Sequence, residues 1–490
     1  MNRDKIIANS VHQGSNSDGT ILVNSITESD PQHRSLSSDS DEIGVAEKIA
    51  KEVSMHGGTV YYVGGYVRDQ WLGVDNKDID IEVFGIKPEA LIIICKKYGI
   101  VDEVGASFGV LKIHGYDLDI SMPRSEQKTG KGHKEFVVSV NPFLSIKDAA
   151  RRRDFTINSI MKNVLTGEYS DPYHGLHDLN HYLLHHIDDN TFIEDPLRVY
   201  RAAQFAARFH LKINEKTLLL CKSINTSSLS AERVFEETNK ALLKSNHPSI
   251  YFNTLREMEQ LDSFFPILKN MISVKQNPTW HPEGDVWNHT MEVIDKATNY
   301  RKGSSYPLGF MYAALFHDIG KFFTTTSDLE GNIHAYNHEI VGADHLTVAL
   351  SKLTNHKRLE TYVKNMVQQH MKPHTLYKHT SIKSTNRFFD NCISPKDSIM
   401  LSVADTINEK ELFRFESGWW DERLRIYEEI KARPEVTGQD LIDLGYKPGP
   451  VFKDILATCH NIHLAGICKD DVLRQIPSIL KGVQSRKKRV

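Results

Sequence analysis

The chain is short of most features that would assign it to a specialised class. Its 490 residues include five cysteines, Cys95, Cys221, Cys392, Cys459 and Cys468, none of them in a CxxC pair. That spacing argues against a disulfide framework or a thiolate zinc site and predicts reduced thiols in a cytoplasmic protein. No apolar run approaches the ~20 residues of a membrane-spanning helix; the densest, Leu91–Cys95, is only five residues long. No membrane is therefore expected as a partner. A polar, acidic N-terminus without an apolar stretch behind a basic start predicts no secretory leader. Net charge is also scarce, −3 from 60 basic and 63 acidic residues. Proteins that coat nucleic acid by charge alone carry a basic excess, so any nucleic-acid contact must come from local patches. The rest, 40% hydrophobic and 25% charged, is globular composition, with length for roughly three or four domains.

Residues 1–42 are rich in Ser, Asn and Asp and bury too little apolar surface to offset ordering, so a mobile polar tail is expected. A helical pattern covers Ile43–Val53, and TVYYV (Thr59–Val63) reads as a strand. Gly64-Gly65 breaks it, and a helix starts at Val67–Leu72. DIDIEVFG (Asp78–Gly85) and YDLDISMP (Tyr116–Pro123) alternate like strands. From about Asp148 the pattern turns helical, through ARRRDFTINSIM (Ala150–Met161) and EDPLRVYRAAQFAARFH (Glu194–His210). Beyond His281 helices continue, broken at Gly303-Ser304, Gly331-Asn332 and Pro448–Pro450. The expected class is α+β: a small mixed α/β head over 43–165, then a long all-α body. Within the body we expect a helical neck over 166–275, a histidine-bearing domain over 276–410 and a helical C-terminal region over 411–490. RKKR (Arg486–Arg489) reads either as a phosphate contact or as a frayed basic tail.

Strand periodicity places Asp78, Asp80 and Glu82 on one face and Ile79, Ile81 and Val83 on the other. Adjacent aspartates repel unless a cation compensates, and Mg²⁺ is the hard ion that suits carboxylate oxygen and substrate phosphates. Asp117 or Asp119, on a neighbouring strand, supplies a third acid. Three acids around two Mg²⁺ ions meet the needs of in-line nucleotidyl transfer, where one ion activates a hydroxyl and the other holds leaving phosphates. A DxD alone is equally a solvated strand face. Gly64-Gly65, between strand and helix, lets backbone N–H groups approach phosphate, although such a pair is also an ordinary tight turn.

In the Glu194–His210 segment, acids before Pro196 mark a helix N-terminus, and Asp195 and Arg198 share a face. An acceptor beside a donor fork matches the exocyclic amine and ring nitrogen of cytosine and adenine and mismatches guanine and uracil. The pair is otherwise a plain i,i+3 ion pair. Nine of the 24 histidines fall between His281 and His374. His289, His317, Asp318 and Asp405 combine imidazole and carboxylate donors, the set for a divalent transition metal such as Ni²⁺, Mn²⁺, Co²⁺ or Zn²⁺. An HD pair behind Ala313–Phe316 would be costly without a ligand.

GGYVRD (Gly64–Asp69) and KDIDIEVFG (Lys77–Gly85) resemble the head of the class II tRNA nucleotidyltransferase and bacterial poly(A) polymerase family. RRRDFTIN (Arg151–Asn158) resembles its ribose-contacting segment and EDPLRVYR (Glu194–Arg201) its base-reading helix, with a weaker echo in ERVFEE (Glu232–Glu237). The resemblance implies a polymerase-beta-like sheet. It assigns Asp78 and Asp80 to Mg²⁺ with Asp119 assisting, and Gly64, Gly65 and Arg68 to the triphosphate. Arg152, Arg153, Asp154 and Asn158 lie near sugar and phosphates, and Asp195, Arg198 and Arg201 on the base-reading helix. One segment departs: DPYHG (Asp171–Gly175) has His174 where a glycine is expected. The histidine set resembles HD-domain phosphohydrolases, in particular the HD region fused to some bacterial CCA-adding enzymes. This implies His289, His317, Asp318 and Asp405 as metal ligands and His338 and His370 as substrate or second-metal histidines, each also readable as a satisfied polar side chain. VTGQDLIDLGYKPGPVFKDIL (Val436–Leu456) resembles a segment following that region, its Gly445, Gly449 and Pro450 a turn between helices.

The reading that joins these motifs is template-independent addition of CCA to the tRNA 3′ end and acceptor arm from CTP and ATP. An appended HD activity would hydrolyse a phosphomonoester or a 2′,3′-cyclic phosphate, the latter repairing RNA ends. Rivals sharing the head are a poly(A) polymerase and an enzyme adding only the final A. A rival of another class is an HD nucleotide phosphohydrolase with an RNA-binding head.

Overall fold

The computed structural model describes residues 20–21, 39–104, 110–128, 136–377, 380–406, 412, 415 and 418–487. Most of the expected tail, and the end of the RKKR run, lie outside them. Two compact units divide the chain, residues 1–226 and 227–490. The stretch 166–275 is therefore shared between them.

The first unit is built on strands β1 (Thr20–Ile21), β2 (Thr59–Val63), β3 (Ile79–Phe84), β4 (Val101–Val104), β5 (Val110–Ile113), β6 (Leu118–Ser121), β7 (Arg124–Lys128), β8 (Phe136–Val140), β9 (Met161–Asn163) and β10 (Tyr169–Ser170). Eight form one mixed sheet in the order β1-β10-β9-β2-β3-β6-β5-β4, and β7 and β8 form a separate hairpin. Strand β3 is central, antiparallel to β2 and parallel to β6. Its β-branched face explains this position: Ile79, Ile81 and Val83 are buried, and β3 packs against helix α1 (Asp39–Met55), which in turn packs against α3 (Pro88–Cys95). Between β2 and β3 lies α2 (Gly65–Trp71). After the sheet come α4 (Ile146–Arg151), α5 (Gly175–Asn180), α6 (Asp189–Ile193), α7 (Leu197–Phe209) and α8 (Glu215–Ser223). A short parallel pair, β11 (Leu183–Leu184) with β12 (Lys212–Ile213), lies between them.

Two expectations need correction. Part of the polar tail adds an edge strand, Thr20–Ile21 against Tyr169–Ser170. The continuous helix expected through Ala150–Met161 stops at Arg151. Asp154 then accepts the N–H of Phe155 with its own side chain, the local competition by which Asp disfavours helix interiors. A 3-10 turn follows at Thr156–Asn158, and Met161–Asn163 joins the sheet beside β2. His174 takes φ 60° in the left-handed region, the conformation for which glycine is the usual choice. Next to it, a Cβ on Gly175 would lie 2.1 Å from the carbonyl oxygen of Thr156, so that position admits no side chain.

Among the described residues, the second unit is helical apart from one hairpin and an isolated bridge between Lys275 and Asp285. Its helices include α9 (Ala231–Lys244), α10 (Ser249–Glu257), α11 (Pro266–Lys269), α12 (Val286–Ala297), α13 (Pro307–Phe316), α14 (Lys321–Thr324), α15 (His338–Ser351), α16 (Lys357–Gln369), α17 (Lys372–Leu376), α18 (Ile382–Asn391) and α19 (Pro395–Asp405). The hairpin, β13 (Thr325–Ser327) with β14 (Ile333–Ala335), interrupts the all-helical pattern expected beyond His281. Helix α13 is apolar on every side, the mark of a central helix: Phe310–Phe316 are all buried. It packs against α9, α12, α16 and α19. Helices over Trp419–Lys431, Gly438–Asp443, Val451–His463 and Lys469–Lys487 complete the chain, with Gly445 at φ 85° in the turn before Val451. No helix among the described residues is long and apolar enough to cross a membrane.

Candidate functional site

Two clusters carry chemistry, one in each unit. In the first, the parallel register of β3 and β6 sets Asp80 opposite Asp119, which favours Asp119 over Asp117 as the third acid. Asp78 precedes β3, its N–H capped by Asn76. Burial first, then the charges of Asp119 and Asp78, push the Asp80 carboxyl up to about 6, with Arg153 and Lys112 pulling it down. Gly64 closes β2 with φ 66° and ψ −131°, a conformation open to glycine. A Cβ there would lie 3.7 Å from Asp80 Oδ2, so bare backbone adjoins the carboxylate. The chemistry of the donors fits a hard divalent cation: repelling oxygens in register, beside a backbone corner.

Two partners of this face escape a linear reading. Lys112, across the β5–β6 pairing, places Nζ 2.8 Å from Asp119 Oδ1. Glu82, on the same face as Asp78 and Asp80, is completely buried and accepts from Arg152 at 3.0 Å and Arg153 at 2.8 Å. Glu82 thereby fixes both arginines.

The remaining head residues form a network. Arg68 is 4% exposed. It bonds to Asp69 and to the side-chain oxygen of Asn158 and stacks over Phe205 and Phe209. The guanidinium is thus engaged inside the unit, as is that of Arg198 on α7. Asn158 in turn donates to Asp154, which also receives Arg201 at 2.7 Å. Asp154 is thus a junction between α7 and the turn before β9. On α7, Arg198 donates to the carbonyls of Thr191 and Arg152, and Asp195 accepts the N–H of Leu197. Both sit at the helix start as expected, with Arg198 clamped toward the Arg152 segment.

In the second unit the ligands gather at helix ends. His317 and Asp318 follow the C-terminus of α13, His370 follows α16, Asp405 ends α19, His338 begins α15, and His289 lies inside α12. C-terminal helix ends present partial negative charge to a cation. His289 Nε2 is 2.9 Å from Asp405 Oδ1 and 3.2 Å from His317 Nε2. His338 Nε2 is 3.2 Å from Asp318 Oδ1 and 3.3 Å from His370 Nε2. Asp318 Oδ2 also faces His289 at 3.4 Å and His317 at 3.3 Å, so this carboxylate joins two groups that could each hold an ion, His289/His317/Asp405 and Asp318/His338/His370.

Every ring is oriented from behind. Nδ1 of His317, His338 and His370 meets the carbonyls of Ala314, Ala335 and Val367, and Nδ1 of His289 meets Glu283 at 2.7 Å. Such contacts turn the Nε2 atoms inward and select the tautomer. Two imidazole nitrogens facing each other at 3.2 Å need a proton or an ion between them, so the donor set fits a divalent transition metal. Burial opposes charge on His317, yet Asp318 and Asp405 outweigh it and push its pKa up to about 10, while both carboxyls are held well below the usual range. Sequence reasoning missed Glu283, His281, His374 and Lys321. His281 shares Glu283 at 2.9 Å, His374 lies 3.2 Å from Asp405, and Lys321 lies 2.6 Å from Asp318. For His281, Glu283 and Lys321 the available signal was their place in WHPEGD and HDIGK; His374, in MKPHTL, carried none.

Comparison with known proteins bears on the first cluster. The Poly A polymerase head domain matches residues 60–185, and a probable RNA and SrmB-binding site of polymerase A matches 211–272. The Multifunctional CCA protein of Actinobacillus pleuropneumoniae serotype 5b is 38% identical over 313 residues, 62% of this chain and 72% of that protein. The Multifunctional CCA protein of Pasteurella multocida is 32% identical over 402 residues, 79% of this chain and 92% of that one. The chain belongs to the multifunctional CCA protein family. Among solved structures, the Bacillus stearothermophilus CCA-adding enzyme in complex with CTP aligns with TM-score 0.62 at 17% identity, over 93% of this chain and 100% of that one. The Thermotoga maritima CCA-adding enzyme complexed with tRNA gives 0.59 at 19%, over 89% and 95%. At such identities these two share the fold. In this multifunctional CCA chain, the matched head family spans the Asp78–Asp80–Asp119 cluster, and both matched families end before the histidine cluster.

Proposed function

We propose that the chain completes the CCA end of tRNA, using CTP and ATP, and that its histidine cluster hydrolyses phosphate esters. The observation that carries the first activity is the register of Asp80 with Asp119 beside Asp78 and the Gly64–Gly65 corner. Asp78, Asp80 and Asp119 would hold Mg²⁺, which when bound supplies charge stabilisation at the attacking hydroxyl and the leaving pyrophosphate. The backbone of Gly64 and Gly65 would approach the phosphates. Arg152 and Arg153, held by Glu82, would face sugar and phosphates. Asp195 and Arg198 would read the base, and Asp154, Asn158, Arg201 and Arg68 would act through the fold by tying α7 to the sheet. Free thiols suit a cytoplasmic enzyme.

The histidine cluster would hold a divalent transition metal on His289, His317, Asp318 and Asp405, with His338 and His370 completing a second position through Asp318. Such an ion, when bound, supplies Lewis acidity for phosphate-ester hydrolysis. Water oxygen bonds to phosphorus, the bond from phosphorus to the sugar oxygen breaks, and that oxygen leaves with a proton. On a 2′,3′-cyclic phosphate this opens the ring and leaves a monoester.

The test uses purified protein, Mg²⁺ and three tRNAs ending at the discriminator base, C or CC, with CTP, ATP or both, read on a sequencing gel. Addition of C, C and A, then a stop, is expected. A single A added only to the CC end means an A-adding enzyme, and a ladder of A means a poly(A) polymerase. No extension, with chelator-sensitive phosphate release from nucleotides, moves the main function to the second unit.

A further inference from the structure

A further group of imidazoles and carboxylates lies in the C-terminal helices and shares no residue with either cluster described above. His460 and His463, three residues apart on helix Val451–His463, share a face. Both turn to Glu435, in the link after helix Trp419–Lys431. Nδ1 of His460 is 2.9 Å from Glu435 Oε2, and Nε2 of His463 is 3.6 Å from Glu435 Oε1. On its far side, His460 Nε2 is 2.8 Å from Asp390 Oδ2 of α18, whose other oxygen accepts from the Tyr427 hydroxyl at 3.2 Å.

His463 is the anomaly. It is 2% exposed, and neither ring nitrogen has a hydrogen-bond partner. Imidazole carries an N–H in either tautomer and when protonated, so a buried donor is left over. A protonated His460 would satisfy Asp390 and Glu435 by itself and gives His463 nothing to do. An ion accounts for both rings. In tetrahedral coordination with bonds of roughly 2.0–2.2 Å, neighbouring donor atoms lie about 3.4 Å apart. The two nitrogen–carboxylate separations, 2.9 and 3.6 Å, fall on either side of that value. Asp390, behind His460, is placed as the outer carboxylate that fixes the tautomer of a ligating ring.

We propose that Glu435, His460 and His463 hold a divalent cation of the Zn²⁺ class, with Asp390 orienting His460. Two imidazoles and a carboxylate suit that ion, and the side chains of His460 and Glu435, each 36% exposed, leave it a path from solvent. The site is structural. Cys459, next to His460, belongs to the apolar core of Leu441 and Ile455, and Leu464, next to His463, to that of Phe389 and Trp420. An ion on Glu435 ties the link after helix Trp419–Lys431 to the helix that joins these two cores. The proposal does not depend on the hydrolase reading.

The experiment uses the full chain carrying His317→Ala and Asp318→Ala, which disables the histidine cluster, in excess Mg²⁺ to occupy the head. Calorimetric titration with Zn²⁺ should show one ion bound at micromolar affinity or tighter, and metal analysis after desalting should count one. His463→Ala and Glu435→Gln, each added singly to that chain, should weaken Zn²⁺ at least tenfold, and Asp390→Asn about tenfold. Glu435 is partly exposed, so Glu435→Gln keeps the test decisive where His463→Ala disturbs the core. Zn²⁺ should raise the melting temperature of the disabled chain and leave that of its Glu435→Gln form unchanged, with CCA addition as the control for folding of the first unit. No ion bound by the disabled chain, or an affinity that His463→Ala and Glu435→Gln both leave unchanged, overturns the proposal. A melting temperature that follows pH through His460 and ignores Zn²⁺ also overturns it, and makes His460 a proton-held clasp between Asp390 and Glu435.

Discussion

Lys112 Nζ lies 2.8 Å from Asp119 Oδ1, and Asp119 is the residue opposite Asp80 across the parallel β3–β6 pairing. The ammonium stands where a second cation beside Asp119 would stand. Both partners are more than 40% exposed, so the pair is weak, up to about 1 kcal/mol. Lys112→Met should therefore lower the half-saturating divalent concentration about three- to fivefold, measured as Mn²⁺ binding by EPR. Weaker binding instead would mean that Lys112 orders Asp119 for the ion.

Asp80 makes the cost of that face measurable. Its carboxyl is pushed from 3.8 up to about 6 by burial and by Asp119 and Asp78. An acid with a raised folded pKa favours folding below its unfolded pKa, and that advantage disappears as pH rises through about 6. At neutral pH the metal-free protein thus carries an ionised, repelled group. Asp80→Asn should stabilise the metal-free chain at pH 7.5 by about 1–2 kcal/mol, with the gain shrinking toward pH 4, while abolishing CCA addition. Thermal melting across pH checks it; an unchanged melting temperature at pH 7.5 would refute the repulsion.

The contrast between these residues shows what a linear reading can reach. Asp78 and Asp80 were legible because strand periodicity is local, and His317–Asp318 because an ionisable pair after an apolar helix is a local conflict. Asp119 needed the β3–β6 register, and Lys112 a second pairing beyond it. Arg68 is assigned to the triphosphate by resemblance alone; its partner Asn158 is 90 residues away, so its burial has no local signature. Glu82 shared the carboxylate face in sequence, but its arginines arrive 70 residues later. The helix expected through Ala150–Met161 failed because Asp154 competes for the backbone and the sheet takes Met161–Asn163.

In the second unit, the metal-free cluster should hold protons that a metal must displace. His317, pushed up to about 10 by Asp318 and Asp405 against its burial, is charged at neutral pH, and its contribution to metal-free stability is lost only as pH rises through that value. A nitrogen ligand must be neutral to bind, so apparent affinity for Mn²⁺ or Ni²⁺ should climb about tenfold per pH unit between pH 6 and 9. Calorimetry in two buffers of different ionisation enthalpy should report at least one proton released per ion. Release of none would contradict the assignment of His317 as a ligand.

Gly320 is where the two halves of this cluster are pressed together. A Cβ there would lie 1.9 Å from the carbonyl oxygen of His338 and 2.7 Å from the N of Gly342, both backbone atoms of α15, which carries His338. Backbone cannot rotate aside as a side chain can, so Gly320→Ala must move α15 away from Asp318. Overpacking of this kind costs about 1–3 kcal/mol, and it opens the 3.2 Å approach of His338 Nε2 to Asp318 Oδ1 on which the second position depends. The expected outcome is a lower melting temperature, loss of the second of two bound ions by calorimetry and at least a tenfold fall in phosphate-ester hydrolysis, while CCA addition by the sheet-bearing unit persists. Full hydrolysis after loss of the second ion would mean that the second position contributes nothing and that His289, His317, Asp318 and Asp405 suffice for the chemistry, whereas two ions retained would mean that α15 does not move.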